Sequence, residues 1–200
     1  MNGAKLMLQK NKADFPYSVI NKINHVWELL SVIKDCDIET NNITECILHV
    51  NNHLPLHKVK CMYILQNRFW TQNYVFEMSL LHNTGISENG EITLVYNKKY
   101  IWYSPNQHLI NIVHILNKNA ILKERLGYFS SILEKITIRF ANNICSIAIR
   151  TFPGSITRMI IPPITQLIEP SVTEIIQELQ LLQLLLCIVS EDCESNRKNQ

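Results

Sequence analysis

The apolar residues of this chain change period twice, and that switch constrains the fold more than any other feature. Val19, Ile20, Ile23, Val26, Trp27, Leu30 and Ile33 recur at helical spacing, which predicts an amphipathic helix over 17–34. The Asp35/Asp37/Asn41/Asn42 cluster then breaks it. From about 43 to 103 the chain is β-rich: Ile43 to Val50, Val59 to Leu65, the alternating Tyr74/Phe76/Met78/Leu80 and Ile92/Leu94/Tyr96, and Tyr100 to Tyr103. Asn89-Gly90 is the dipeptide favoured in type I′ hairpins, because both positions need positive φ, and Asn97-Lys98-Lys99 reads as a second tight connection. These signals predict an antiparallel meander of four to six strands.

Helical spacing then returns. Ser104-Pro105-Asn106-Gln107 has the form of a capping box, with proline at the first helical position and glutamine able to reach back. Leu109, Ile110, Ile112, Val113 and Leu116 supply the apolar face that follows it. Leu122, Leu126, Phe129, Leu133, Ile136, Phe140, Ile144 and Ile147 recur every three or four residues, predicting one long helix over about 120–150 that Pro153-Gly154 ends. Pro162, Pro163 and Pro170 punctuate the next segment. Ser171-Val172-Thr173-Glu174 is a second capping box. It opens a helix whose residues Val172, Ile175, Leu179, Leu182, Leu186 and Val189 form an unbroken heptad seam, widened by Ile176, Leu181, Leu184, Leu185 and Ile188. The expected class is α+β: an antiparallel sheet backed by helices over 1–150, then a Pro-punctuated segment, a Leu-rich helix and a loose polar tail over 151–200.

Composition narrows the function. With 46% apolar and 18% charged residues, the chain is too apolar for disorder. A net charge of +2 with no basic block offers no obvious footprint for nucleic acid. Six irregularly spaced cysteines and an N-terminus without an apolar leader point to reduced thiols in cytosol or nucleus. The most apolar window, Leu179 to Val189, is too short to span a bilayer, and no membrane association is expected.

The densest chemistry lies in Cys46, His49, His53, His57 and Cys61, residue types that zinc prefers. Histidines four apart share a face only on a helix, and Pro55 with β-like flanks argues against one there, so no metal is expected. Nucleophilic catalysis needs a framed Ser or Cys beside a histidine, and no strand–turn–helix elbow frames one. Glycines stand only at 3, 85, 90, 127 and 154, which rules out a Gly-rich phosphate loop. The sequence therefore predicts no enzyme, no catalytic residue and no cofactor.

Two features remain. Arg139, Arg150 and Arg158 would straddle the end of the long helix, either as a solvated face or as residues near DNA held within a complex. The seam Val172, Ile175, Leu179, Leu182, Leu186 and Val189 is either the chain's own core or a partner-binding face that completes a helical bundle.

This order of elements resembles the short meiotic subunits related to the B subunit of topoisomerase VI, of the fission-yeast type. Those subunits keep only the transducer part, a small sheet backed by helices that continues into a long helix. The resemblance rests on element order and size and carries no residue motif. It implies a non-catalytic nuclear subunit that helps assemble the machinery for meiotic DNA double-strand breaks. Residues 171–189 would contact a topoisomerase-like catalytic subunit, with DNA met only inside the complex. A scaffold subunit of a kinetochore or transcription-coactivator assembly stays open. So does a small-molecule enzyme or binder on the antiparallel sheet, with Trp70 and Trp102 lining its pocket.

Overall fold

The structure, a computed structural model, describes residues 15–51, 58–97 and 99–198. Helix α1 is Tyr17–Ser31, followed by strands β1 (Cys36–Asn42), β2 (Glu45–Val50), β3 (Lys58–Asn67), β4 (Thr71–Asn83), β5 (Gly90–Asn97) and β6 (Lys99–Tyr103). A 3-10 turn at Gln107–Leu109 leads into α2 (Ile110–Lys118) and α3 (Ala120–Tyr128). The chain continues through β7 (Leu133–Ala141), β8 (Ile144–Met159), β9 (Thr165–Leu167) and α4 (Val172–Lys198). The strands form a nine-stranded sheet in the order β1-β2-β3-β4-β8-β7-β5-β6, with β9 on β8. The class is α+β, as the pattern predicts, but with more than the four to six strands expected.

The excess is β1, in the Asp35/Asn41 segment read above only as a helix breaker, the short β9, and above all β7 and β8, whose residues 133–150 are read above as the second half of a long helix. Leu133, Ile136, Phe140, Ile144 and Ile147 satisfy helical spacing, yet Ile136/Ile138/Phe140 and Cys145/Ile147/Ile149 satisfy alternation equally well and are buried. Crowding at χ1 tilts such β-branched runs towards strand. Asn142 and Asn143, at φ 52 and 62, make the tight turn that returns β7 into β8, with Ala141 opposite Ile144. These two asparagines supply the positive φ values that a two-residue hairpin needs. Asn89-Gly90 does not serve that purpose, because β4 and β5 are not neighbours. Pro153 and Gly154 sit inside β8, between the stretch paired with β7 and the stretch paired with β9, and end no helix.

The chain divides into two compact units, each discontinuous in sequence, rather than at a single cut near 150. The first holds residues 1–77 and 152–175, the second 78–151 and 176–200. In the first, α1 buries Val19, Ile23, Val26, Trp27 and Leu30. Trp27, Tyr63 and Phe76 stack with ring centroids 5.5 to 6.3 Å apart. Tyr63 donates its hydroxyl hydrogen to the Gly154 carbonyl at 2.8 Å, and burial pushes its phenol well above its ordinary range. Gly154, at φ 82, passes so close to Phe76 that an added Cβ would stand 3.0 Å from its ring. Along the first half of α1, Ser18 meets Thr165 at 2.9 Å and His25 meets Glu169, just past β9, at 2.9 Å, so β9 is tied to α1 as well as to β8.

In the second unit, β5 and β6 form the hairpin expected around Asn97 and Lys99, with residue 98 outside the described residues. Ser104 accepts from the Asn106 N–H and donates to the Glu91 carbonyl, so it ties the entry loop to β5 rather than closing a capping box with Gln107. Asn117 satisfies both backbone groups of Trp102 at 2.9 Å, and Asn119 caps α3 through the Leu122 N–H. Ser171 and Glu174 do close the predicted box: the Glu174 carboxylate accepts from the Ser171 N–H at 2.7 Å, and the Ser171 hydroxyl accepts from the Glu174 N–H at 3.1 Å. The polar segment after 190 continues helical to Lys198 instead of forming a loose tail.

Candidate functional site

The heptad seam is the chain's own core. Ile175, Leu179, Leu182, Leu186 and Val189 are buried, Val172 is half-buried, and Leu181, Leu185 and Ile188 are buried beside them. In the second unit α4 is pinned along its length. Thr151 of β8 donates to Glu178 at 2.9 Å, Arg125 of α3 donates to Gln180 at 3.1 Å, and Ser190 meets His82 of β4 at 3.2 Å. Of the two readings open for this helix, self-core is the one the burial favours. By length and composition, Val172–Ser190 exceeds the 179–189 window and would suffice to cross a bilayer, but much of it is packed inside the protein.

The three arginines do not flank a helix end. Arg139 lies on β7 and Arg150 on β8, where Lys135 stands opposite Arg150 on the same open face of the second unit's sheet. Arg139 binds Glu91 at 2.6 Å, and this bond above all holds the Glu91 carboxyl below its usual range. Arg158 belongs to the first unit and donates to Gln72 at 3.1 Å. Cys46 and Cys61 are buried directly across β2 and β3 from each other. His49 lies on the opposite face of β2, where it meets Glu39 at 3.0 Å. His53 and His57 lie outside the described residues. Trp102 is buried in the second unit, whereas Trp70 is exposed in the first.

What the sequence reading passed over is a pair of apolar loops in the first unit. Between β3 and β4 the chain reverses in two residues, Phe69 and Trp70, closed by the Arg68 N–H to the Thr71 carbonyl at 2.8 Å and the reverse bond at 3.3 Å. Tight hairpin turns favour Asn, Asp and Gly, so two large aromatics at the tip contradict turn chemistry. They are 84% and 58% exposed and meet edge-to-face at 4.6 Å. Between β8 and β9 runs Met159-Ile160-Ile161-Pro162-Pro163-Ile164, every residue exposed and Ile161 68% so. The Ile160 N–H donates to the Trp70 carbonyl at 3.0 Å, which joins the loops into one tip. Its signals in the sequence were Phe-Trp at a strand boundary and prolines set among isoleucines.

The second unit also has a cavity of about 450 Å³ lined by Tyr96, Lys99, Tyr100, Lys123, Gly127 and Ser130. Tyr100 closes part of it by donating to the Ser130 carbonyl at 3.3 Å. Burial raises its phenol, with Tyr96 adding to the effect. Among the described residues no three His, Cys, Asp or Glu side chains converge as metal ligands.

No curated protein and no solved structure matches this chain. A family match does exist, and it spans both loops of the tip, β1 to β9 and most of α4. Residues 32–188 fit the profile described as a protein of unknown function, DUF3156, and the chain therefore belongs to that family.

Proposed function

We propose that this protein works by docking rather than by catalysis, and that its docking element is the two-loop tip at Phe69-Trp70 and Met159–Ile164. The observation that carries this reading is the exposure of eight apolar residues on two loops that the Ile160–Trp70 bond joins. Large exposed apolar patches on a folded domain mark interaction sites, whereas scattered single residues do not. Loops displayed by a rigid scaffold are also where binding residues concentrate. Here the scaffold is close at hand: Arg158 is tied to Gln72, and β9 is fastened to β8 on one side and to α1 through Thr165 on the other.

The expectation of a nuclear subunit in meiotic break formation leaned on a long helix over 120–150 and on a partner-facing seam. With strands over 133–159 and a buried seam, the docking proposal rests on the loops alone. It specifies neither nucleus nor DNA. A photo-crosslinking residue placed at Ile161 in the cell of origin tests it, with Ile121, an equally exposed position on α3, as the control. Crosslinks at Ile161 well above those at Ile121 are expected. Equal yields at the two positions would overturn the proposal.

A further inference from the structure

The chemistry of the tip identifies the surface it docks onto. We infer that the two loops insert into the interface of a lipid bilayer carrying anionic headgroups. The inference rests on the docking reading above and names its partner.

Three observations converge. The first is residue type. The exposed side chains are Trp, Phe, Met, Ile and Pro, a set that fits the junction of headgroups and acyl chains, where Trp is enriched and aliphatic tips reach the hydrocarbon. The second is the backbone. Polar groups entering lipid must already be satisfied, because no water is there to bond them. Across Met159–Ile164, three of the four N–H groups are bonded, that of Met159 to Ile164, that of Ile160 to Trp70 and that of Ile164 to Pro162, leaving only that of Ile161, while Pro162 and Pro163 have no N–H to satisfy. Arg68 and Thr71 bond each other in the neighbouring loop. With most of its donors bonded or absent, the Met159–Ile164 loop has little left for adding a strand to a protein partner, and the cost of its entering lipid is lowered.

The third observation is charge. No Asp or Glu occurs from Cys46 to Phe76 or from Lys135 to Ile168, the two segments that carry the loops. Arg68 and Arg158 flank the apolar residues, and Arg158 is positioned by its bond to Gln72. Basic side chains beside an apolar wedge attract the negative surface of a bilayer, whereas a carboxylate there would be repelled. The tip thus has an apolar end, a main chain whose donors are partly bonded within it, and a cationic collar.

Intrinsic fluorescence tests this directly. Of the three tryptophans, Trp27 and Trp102 are buried, so a spectral change on adding vesicles reports Trp70. The full chain is mixed with vesicles of phosphatidylcholine and phosphatidylserine in equal parts, or of phosphatidylcholine alone, and binding is also read by flotation. Expected are a blue shift, quenching by brominated lipid, flotation with the mixed vesicles, and weaker flotation with the neutral ones or with Arg68→Gln/Arg158→Gln. Ile161→Glu should lower the partition coefficient by about tenfold or more, since a carboxylate replaces an isoleucine in the apolar layer. Phe69→Glu should do the same from the other loop, with circular dichroism confirming that both variants are folded. No flotation and no blue shift, combined with Ile161 crosslinks that run to a protein, would overturn the bilayer inference and leave docking intact. Vesicle binding unchanged in both variants would also overturn it. Failure to float together with Ile161 crosslinks no stronger than those at Ile121 would overturn both.

Discussion

The Leu-rich helix α4 and the Met159–Ile164 loop are both conspicuously apolar, yet they have opposite fates. Helix α4 carries the denser run of large side chains, and its seam disappears into the core, with Leu182 fully buried. The loop is shorter and broken by two prolines, and all six of its residues are exposed. The difference lies in what each can be laid against. A helix presents its apolar residues as a stripe that a sheet face can cover, and burying each such side chain contributes about 1.5–3 kcal/mol. A proline-broken loop at the end of β8 has neither the periodicity to present one face nor the donors to join a strand. Apolar density therefore says little about where function lies. Apolar residues that the fold leaves uncovered say much more.

That contrast can be broken by substitution, and the largest effect is expected in the helix. Leu179→Glu with Leu186→Glu places two carboxylates in the core, and the cooperative thermal transition should collapse altogether. A retained transition in that variant would return the seam to the role of an interface. On the loop's side of the molecule, Gly154→Ala forces a β-carbon onto Phe76 at a left-handed φ and should cost about 1–3 kcal/mol in denaturant unfolding. A cost near zero would mean that the backbone beneath the tip is more pliable than its contacts imply. Ser171→Ala removes the hydroxyl half of the box that starts α4 and should cost about 1 kcal/mol, with the helix otherwise retained. Ile161→Glu should change stability least, by no more than about 0.5 kcal/mol, because the side chain supports nothing inside the fold. A much larger loss there would show that the loop is structural and would weaken the contrast.

Much of the fold was legible, and for a consistent reason. Helix α1, strands β2 to β6 and the Ser171 capping box all rest on local signals: a single apolar period, or a side chain bonding its own neighbourhood. Residues 133–151 failed because Leu133, Ile136, Phe140, Ile144 and Ile147 fit two periods at once. The tie was broken by Ile138, Cys145 and Ile149 and by the two asparagines at the turn, which act only once β7 and β8 are paired. Asn89-Gly90 misled in the opposite sense. It has the composition of a hairpin, but β5 finds its partners in β6 and β7. Of the candidate site, nothing was read correctly in advance. Each loop is unremarkable alone, and Trp70 and Ile160 are brought together only by the pairing of β4 with β8.

By itself, then, the sequence determined the α+β class, the helices that precede and follow the strands along the chain, and the Ser171 box that starts the second of them. These depend on interactions within a few residues along the chain, where spacing and side-chain type carry the information. The tertiary structure alone decided the strand order, the discontinuous make-up of the two units and the fate of each apolar run. Those outcomes depend on residues far apart in sequence competing to cover the same surface. The β7–β8 hairpin and α4 find that cover, and Phe69, Trp70, Ile161 and their neighbours do not.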